Sequence, residues 1–270
     1  MTHTGEPRES RETAVLFSAG LDSAVLVADE ARRGVVHPLY VSVGLAWEAA
    51  EVAMAERLLS APVYVGRVGV LQRLQFTMRD VYPSTHWAVR GAPPAYDTPD
   101  EDVYLTGRNL VLLAKAGTWC AQHRVPRIVL GPLAGNPFPD ARPEFLTAMA
   151  EALSLGLDWP VEIAAPYRDL HKEQVIQRGV ELGVPFELTL SCMNPRAGGS
   201  SGAPFQHCGA CSKCRERQQA FAAAGVTDPT RYVASHHNHE GTPASALRAS
   251  ARSRRSALRD GGKARRHEEQ

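Results

Sequence analysis

Five short, apolar, largely β-branched runs alternate with longer stretches of helical periodicity between residues 13 and 182, and this alternation limits the possible folds more than any other feature. The runs at 14–17, 37–43, 62–65, 127–130 and 161–164 are the expected strands; 21–33, 48–60, 109–123, 142–155 and 170–182 are the expected helices. Strands that are apolar along their length belong in a parallel sheet covered by helices on both faces. The expectation is therefore an α/β fold, Rossmann-like, with a five-stranded parallel sheet flanked by helices. Gly34 is placed to cap the first helix, and Gly183 followed by Pro185 to close the last. From 80 to 106 the alternation lapses. Pro83, Pro93, Pro94 and Pro99 mark a long loop there, and Asp97, Asp100, Glu101 and Asp102 read as a solvated face.

A chain of 270 residues with 44% hydrophobic content can bury a core for one large or two modest domains. Its formal charge of +1 gives no overall bias toward nucleic acid or membrane. Residues 1–12 read as a flexible start. Residues 234–270 are rich in Ser, Ala, Gly, Arg and His without periodic apolar positions, the composition of a disordered basic tail. Its arginines are the one feature suited to unspecific RNA binding, and His236, His237 and His239 lie in it without partner ligands. Neither a secretory leader pattern nor a run of eighteen apolar residues is present, so a cytoplasmic protein without membrane contact is expected.

The five cysteines are an odd count for a disulfide framework. Four of them, Cys192, Cys208, Cys211 and Cys214, have the spacing C-x15-C-x2-C-x2-C, in which a tight turn brings sulfurs to one ion and a distant cysteine completes the shell. This set is read as a closed structural zinc site, since four protein thiolates leave no position for substrate. Cys120 falls in the apolar pattern of its helix, where a buried free thiol is ordinary.

At the other end, Ser18-Ala19-Gly20-Leu21-Asp22-Ser23 follows an apolar run ending in Phe17 and opens a helix. A strand end, a small-residue turn and a helix N-terminus present backbone N–H donors and partial positive charge to a phosphate. Ser18 and Ser23 add hydroxyls, and Asp22 belongs beside phosphates chiefly if Mg²⁺ lies between them. The plainer alternative is an ordinary strand-to-helix turn with Asp22 near a helix start. If position 19 requires positive φ, Ala19 costs about 1 kcal/mol or more.

This segment resembles the SGGxDS signature of PP-loop ATP pyrophosphatases, with Ala19 in place of the first glycine. Further matches follow in order: Gly107-Arg108-Asn109, Pro139-Asp140-Ala141-Arg142-Pro143-Glu144-Phe145, Leu170-His171-Lys172-Glu173, Ser191-Cys192, and Cys208 to Arg215 with Arg217 and Phe221. Together they resemble the 7-cyano-7-deazaguanine synthase family, commonly called QueC, over most of residues 14–225. The resemblance implies a PP-loop domain over 13–190 of the adenine nucleotide alpha hydrolase-like fold, a zinc-binding region over 191–233, and a homodimer. It implies a ligase that uses ATP twice, taking 7-carboxy-7-deazaguanine and ammonia to an amide and then a nitrile through acyl adenylates. Phe17 to Ser23, Arg108, Asn109 and Lys172 would bind ATP, with Ser18, Asp22, Ser23 and Lys172 catalytic and Mg²⁺ bridging the phosphates to Asp22. Asp140 and Arg142 would face the deazapurine or order its pocket. Each also has a simpler explanation: Lys172 as a surface cation, Arg108-Asn109 as an N-cap, and Asp140 to Pro143 as a capped helix start.

Two segments depart from the family pattern. Val43-Gly44-Leu45-Ala46-Trp47-Glu48 replaces a YGQ-type stretch, and residues 131–138 are shorter and lack the usual acidic and tyrosine residues. Both follow expected strand ends, where open α/β sheets bind ligands, so a related heterocyclic carboxylate and an amide product stay open. Two other functions compete: PP-loop sulfur transfer to tRNA, for which only Cys120 remains uncommitted, and a non-catalytic nucleotide- or nucleic-acid-binding module.

Overall fold

The computed structural model describes residues 11–198 and 203–233; the expected basic tail and its three histidines lie outside that range. Five parallel strands, β1 (Arg11–Leu16), β2 (Gly34–Ser42), β3 (Gln72–Gln75), β4 (Arg127–Val129) and β5 (Glu162–Ala164), form one sheet in the order β3-β2-β1-β4-β5. Because β1 begins at Arg11, the start expected to be flexible through residue 12 already carries sheet at Arg11 and Glu12.

Between the strands run α1 (Leu21–Ala31), α2 (Glu48–Leu59), the single turn α3 (Trp87–Arg90), α4 (Arg108–His123), α5 (Pro143–Leu157) and α6 (Lys172–Leu182). A small antiparallel pair, β6 (Arg196–Ala197) with β7 (Phe205–Gln206), then leads to α7 (Ser212–Ala224). Side chains along a strand point alternately to opposite faces, and the neighbouring interior strands β1 and β4 use both. Val15 and Val129 join the core under α1, α6 and α7, whereas Ala14 and Ile128 join the core under α4 and α5. Helix α1 is buried along nearly its whole length, and each fully buried Val or Leu on it contributes roughly 1.5–3 kcal/mol. Its approach to α6 needs Gly179, where a Cβ would lie 2.7 Å from Val25 and 2.4 Å from the Phe186 ring.

Two local expectations fail. Residues 62–65 are not a strand: Pro62–Tyr64 is a 3-10 turn, with proline pre-set for its first position and the Tyr64 hydroxyl donating to the Ala24 carbonyl at 3.1 Å. The fifth strand is instead Gln72–Gln75, polar because it is the sheet edge and alternates between half-buried and exposed positions. Gly34 does not cap α1 either; the helix ends at Arg32 in right-handed geometry, and Gly34 opens β2. Gly183 does close α6, with φ +72°. No described helix is long and apolar enough to cross a membrane.

The strand order reverses direction between β1 and β4, and ligands of open α/β sheets bind beyond the strand C-termini at that point. A cleft of about 360 Å³ opens there, lined by Leu16 to Ser18 after β1, Leu130 to Pro132 after β4, and the first turn of α1.

Candidate active site

The phosphate loop takes its shape from one strained residue. Ala19 is fully buried at φ +57°, the left-handed region, and its carbonyl accepts from Leu190 N at 2.8 Å. Gly20 then serves as the α1 N-cap without any side-chain cap, which leaves first-turn N–H groups for an anion. Ser18 Oγ accepts from Gly20 N at 3.4 Å, while the Ser23 hydroxyl donates back to Gly20 O at 3.0 Å. Of the two hydroxyls, that of Ser23 is thus already engaged in holding the turn.

Charged groups converge on this loop. His171 N donates to Gln174 Oε1 at 2.8 Å, which caps α6 and sets Lys172 at its first position. Lys172 Nζ lies 3.2 Å from Asp22 Oδ2 and also pairs with Glu216 on α7. It is not a surface cation. Burial would lower its pKa, but Asp22 and Glu216 outweigh that and raise it. Burial pushes the Asp22 carboxyl up, with Lys172 opposing. Glu216 responds the other way: burial alone would raise it, yet Lys172 and Lys213 bring it down to about 2. Asp22 Oδ1 is buried with no hydrogen-bond partner among the described residues, and an oxygen left this way beside a phosphate loop suits a hard divalent cation such as Mg²⁺.

Arg108 and Asn109 open α4 behind Gly107, whose φ of +72° makes the turn. Asn109 is not the N-cap. Asp140, arriving from the 3-10 turn Pro139–Ala141, accepts from Asn109 N at 2.9 Å, and Asn109 Nδ2 donates to Asp140 O and Oδ1 at 3.2 and 3.3 Å. Asp140 therefore caps α4 from another segment. Arg108, Asn109 and Asp140 all line the cleft, and Arg108 Nε is buried without a hydrogen-bond partner among the described residues. Arg142 is not brought there: it is exposed at the start of α5 and is absent from the lining.

Part of the remaining lining is aromatic and was not anticipated. Trp47 and Trp87 stack at 5.8 Å and 12°, and Tyr104 stacks on Phe138 at 5.1 Å. Beside them Tyr40 OH donates to Glu51 Oε2 at 2.7 Å. Burial pushes the Glu51 carboxyl up to about 7, although Arg108 and Tyr40 oppose it. Its neighbour Glu48 closes the β2–α2 turn, accepting from Val43 N at 2.7 Å, Gly44 N at 3.0 Å and Ser42 Oγ at 2.5 Å. One signal for Glu51 was present in the sequence: with Met54, Ala55 and Leu58 it completes an i, i+3, i+4, i+7 buried stripe, an unusual place for a carboxylate.

The loop over 80–106 is more ordered than its composition suggests. Tyr82, Ala88, Val103 and Leu105 are buried in the core. Asp97, Glu101 and Asp102 are exposed as expected, but Asp100 approaches Lys213 Nζ at 3.6 Å.

The four cysteines meet. All are buried, and their Sγ atoms lie within 4.8 Å of one another, with Cys211–Cys214 at 3.5 Å and Cys208–Cys214 at 3.9 Å. A tetrahedral shell with zinc–sulfur bonds of about 2.3 Å places sulfurs about 3.8 Å apart, so the set can hold such an ion. Backbone N–H groups support the thiolates: Asn194 N and Cys208 N donate to Cys192 Sγ at 3.3 and 3.2 Å, and Ala210 N to Cys208 Sγ at 3.4 Å.

Comparison with known proteins agrees with this arrangement. The family profile described as "Queuosine biosynthesis protein QueC" matches residues 12–225. A protein of Stenotrophomonas maltophilia named 7-cyano-7-deazaguanine synthase is 33% identical over 231 residues, covering 83% of this chain and 100% of its own. Proteins of the same name from Methanopyrus kandleri and Syntrophotalea carbinolica are 35% and 30% identical, each over 236 residues. They cover 82% and 83% of this chain, and 98% and 97% of their own.

Proposed function

Because the chain belongs to the queuosine biosynthesis protein QueC family, we propose that it is a 7-cyano-7-deazaguanine synthase, an ATP-dependent carbon–nitrogen ligase that converts a 7-deazapurine carboxylate into a nitrile. The acceptor is 7-carboxy-7-deazaguanine or a close heterocyclic relative, and ammonia supplies the nitrogen. The observation that best supports this reading is that the uncapped phosphate loop and the aromatic pairs share one cleft. Such a cleft suits a triphosphate and a flat heterocycle side by side.

A carboxylate oxygen attacks the α-phosphorus of ATP, and pyrophosphate leaves as the acyl adenylate forms. Ammonia adds to the acyl carbon, loses a proton and displaces AMP, leaving the amide. A second ATP activates the amide oxygen in the same way, and departure of AMP with both nitrogen-borne protons gives the nitrile. In these steps the α1 N-terminus and Ser18 stabilise the leaving pyrophosphate, and Lys172 balances its charge. Asp22 would hold Mg²⁺, which when bound neutralises the phosphates. Arg108 and Asn109 bind the nucleotide, with Asp140 orienting Asn109 from its capping position. The four cysteines hold structural zinc.

Sulfur transfer through a cysteine has less support. Cys120 is fully buried in α4, and burial pushes its thiol up to about 12, far from a reactive thiolate.

The test is mass spectrometry of products after the metal-loaded protein is incubated with ATP, Mg²⁺, ammonium and 7-carboxy-7-deazaguanine, beside an Asp22→Ala control. Nitrile and AMP, both lost in the control, are expected. A folded, metal-replete sample that releases no AMP and converts nothing would overturn the assignment.

A further inference from the structure

The pairing of Lys172 draws attention to the helix that supplies its partner. Lys213 and Glu216 are three residues apart on α7, so they share a face, and each is two residues beyond a cysteine of the cluster. The C-x2-C spacing that gathers Cys211 and Cys214 at the metal centre thus carries a lysine and a carboxylate with the same period toward the cleft. Lys213 lines that cleft together with Ser18 and Gly20 to Ser23.

The ammonium groups of Lys172 and Lys213 meet the two oxygens of one carboxylate: Lys172 pairs with Glu216 Oε1, and Lys213 lies 2.6 Å from Oε2. Both lysines are largely withdrawn from water, at 19% and 29% side-chain exposure. Their donors are not exhausted. An ammonium has three N–H groups; among the described residues Lys172 directs two at Asp22 and Glu216, and Lys213 makes one hydrogen bond, to Glu216, with Asp100 farther off at 3.6 Å. Among the described residues the series of charges also holds an unsatisfied atom, Asp22 Oδ1, buried without a hydrogen-bond partner, while Asp100 Oδ1, which makes no hydrogen bond, faces Lys213 Nζ at 3.6 Å. A network serving stability alone would close on itself; this one leaves donors and acceptors unused beside an uncapped helix N-terminus.

We propose that Lys213 is a second cation of the pyrophosphate-binding end of the cleft, and that Glu216 is the positioning residue that holds Lys213 and Lys172 as a pair. The ligand class is the β,γ-diphosphate portion of a nucleoside triphosphate, or free pyrophosphate, and the inference rests on the nucleotide reading above. The loop over 80–106 takes part by docking on α7. Arg215 donates to Thr98 O at 3.0 Å, Tyr96 OH donates to Gln218 Oε1 at 2.9 Å, and Asp100 is thereby brought beside Lys213.

Isothermal titration of the full, metal-loaded chain with inorganic pyrophosphate, ATP and AMP, each with Mg²⁺, tests the proposal without reference to the acceptor substrate. Lys213→Met and Glu216→Gln should each weaken pyrophosphate and ATP about tenfold or more, and Lys213→Arg should restore most of the affinity. AMP, which lacks the diphosphate, should bind all variants alike. Circular dichroism and metal content identify any variant that fails to fold; if Lys213→Met is one, Glu216→Gln decides, a loss of about tenfold in pyrophosphate affinity with AMP unchanged being expected and wild-type pyrophosphate binding overturning the role. Lys213→Met binding pyrophosphate like the wild type, or losing AMP in equal measure, would overturn the pyrophosphate role while the nucleotide reading stands. A wild-type protein that binds neither ATP nor pyrophosphate would overturn both.

Discussion

The phosphate loop occupies six consecutive residues, Ser18 to Ser23, running from the end of β1 into the first turn of α1, whereas the aromatic part of the same cleft draws Tyr40 from β2, Trp47 and Glu51 from around α2, Trp87 from α3, and Tyr104 and Phe138 from two later segments. One part is backbone, made by a turn and a helix end; the other is side chains that meet only after the sheet has formed. The backbone part is braced from behind by α7 and its cysteines, and the side-chain part by the buried Tyr40–Glu51 pair. Under the proposed function, the triphosphate end would thus rest mainly on local backbone geometry, and the heterocycle end on side chains gathered from distant segments.

The largest expected effect tests the brace. Replacing Cys211 with Ser should abolish metal binding and, since structural zinc contributes several kcal/mol or more of folding energy, lower the thermal midpoint by roughly 10 °C or more. Pyrophosphate binding should disappear with it, because Lys172 loses the helix that carries Glu216. A Cys211→Ser protein that melts like the wild type and still binds pyrophosphate would show that the phosphate loop stands without this support.

Glu51 gives the next effect, in the other part of the cleft. Its carboxyl is raised from 4.5 to about 7, so between those values the folded state binds a proton that the unfolded state releases. Stability from this group is therefore fully present below about pH 4.5 and declines as pH rises to about 7, by up to about 3 kcal/mol. Glu51→Gln, neutral at every pH, should remove that decline. Urea midpoints at pH 5 and pH 8 measure it; an equal decline in both proteins would assign the pH dependence elsewhere.

Trp87 separates the two parts kinetically. It is half-buried on the cleft wall and stacks on Trp47, so Trp87→Leu should raise KM for the heterocycle about tenfold while KM for ATP changes less than twofold. The reverse pattern would assign the aromatic pair to adenine and exchange the occupants of the cleft.

The same contrast governs what could be read from the chain. The phosphate loop, Lys172 and the four cysteines are motifs of consecutive or closely spaced residues, and the structure brings them together at the cleft and beside it. The parallel sheet was legible from apolar runs because its central strands are buried on both faces. Its edge was not, since Gln72–Gln75 lacks that apolar signature and residues 62–65 carry it without being a strand. Asp140 was visible as a capping residue, but the helix it caps lies 31 positions away in sequence, a distance no local pattern spans. Lys213 and Glu216 were overlooked because their segment was read for its sulfurs alone. Arg142 was included because it belongs to the same family-like segment as Asp140, yet the turn that buries Asp140 leaves Arg142 exposed.

The smallest expected effect concerns Ala19, where the backbone-built part departs from the usual glycine. An L-residue with a Cβ at φ +57° costs about 1 kcal/mol relative to glycine, and the fold accepts this because Leu190 N and the start of α1 fix the residue on both sides. Ala19→Gly should therefore stabilise the protein, with a thermal midpoint higher by about 2–4 °C for a chain of this size. The gain is limited because glycine also frees the unfolded chain and removes a buried methyl group. Pyrophosphate affinity should hold within about twofold, since the N–H donors follow the turn and not the side chain. A lower midpoint would mean that the methyl's packing outweighs its strain. The loop's tolerance for alanine would then come from contacts in the core, making this part of the cleft as dependent on side chains as the aromatic part.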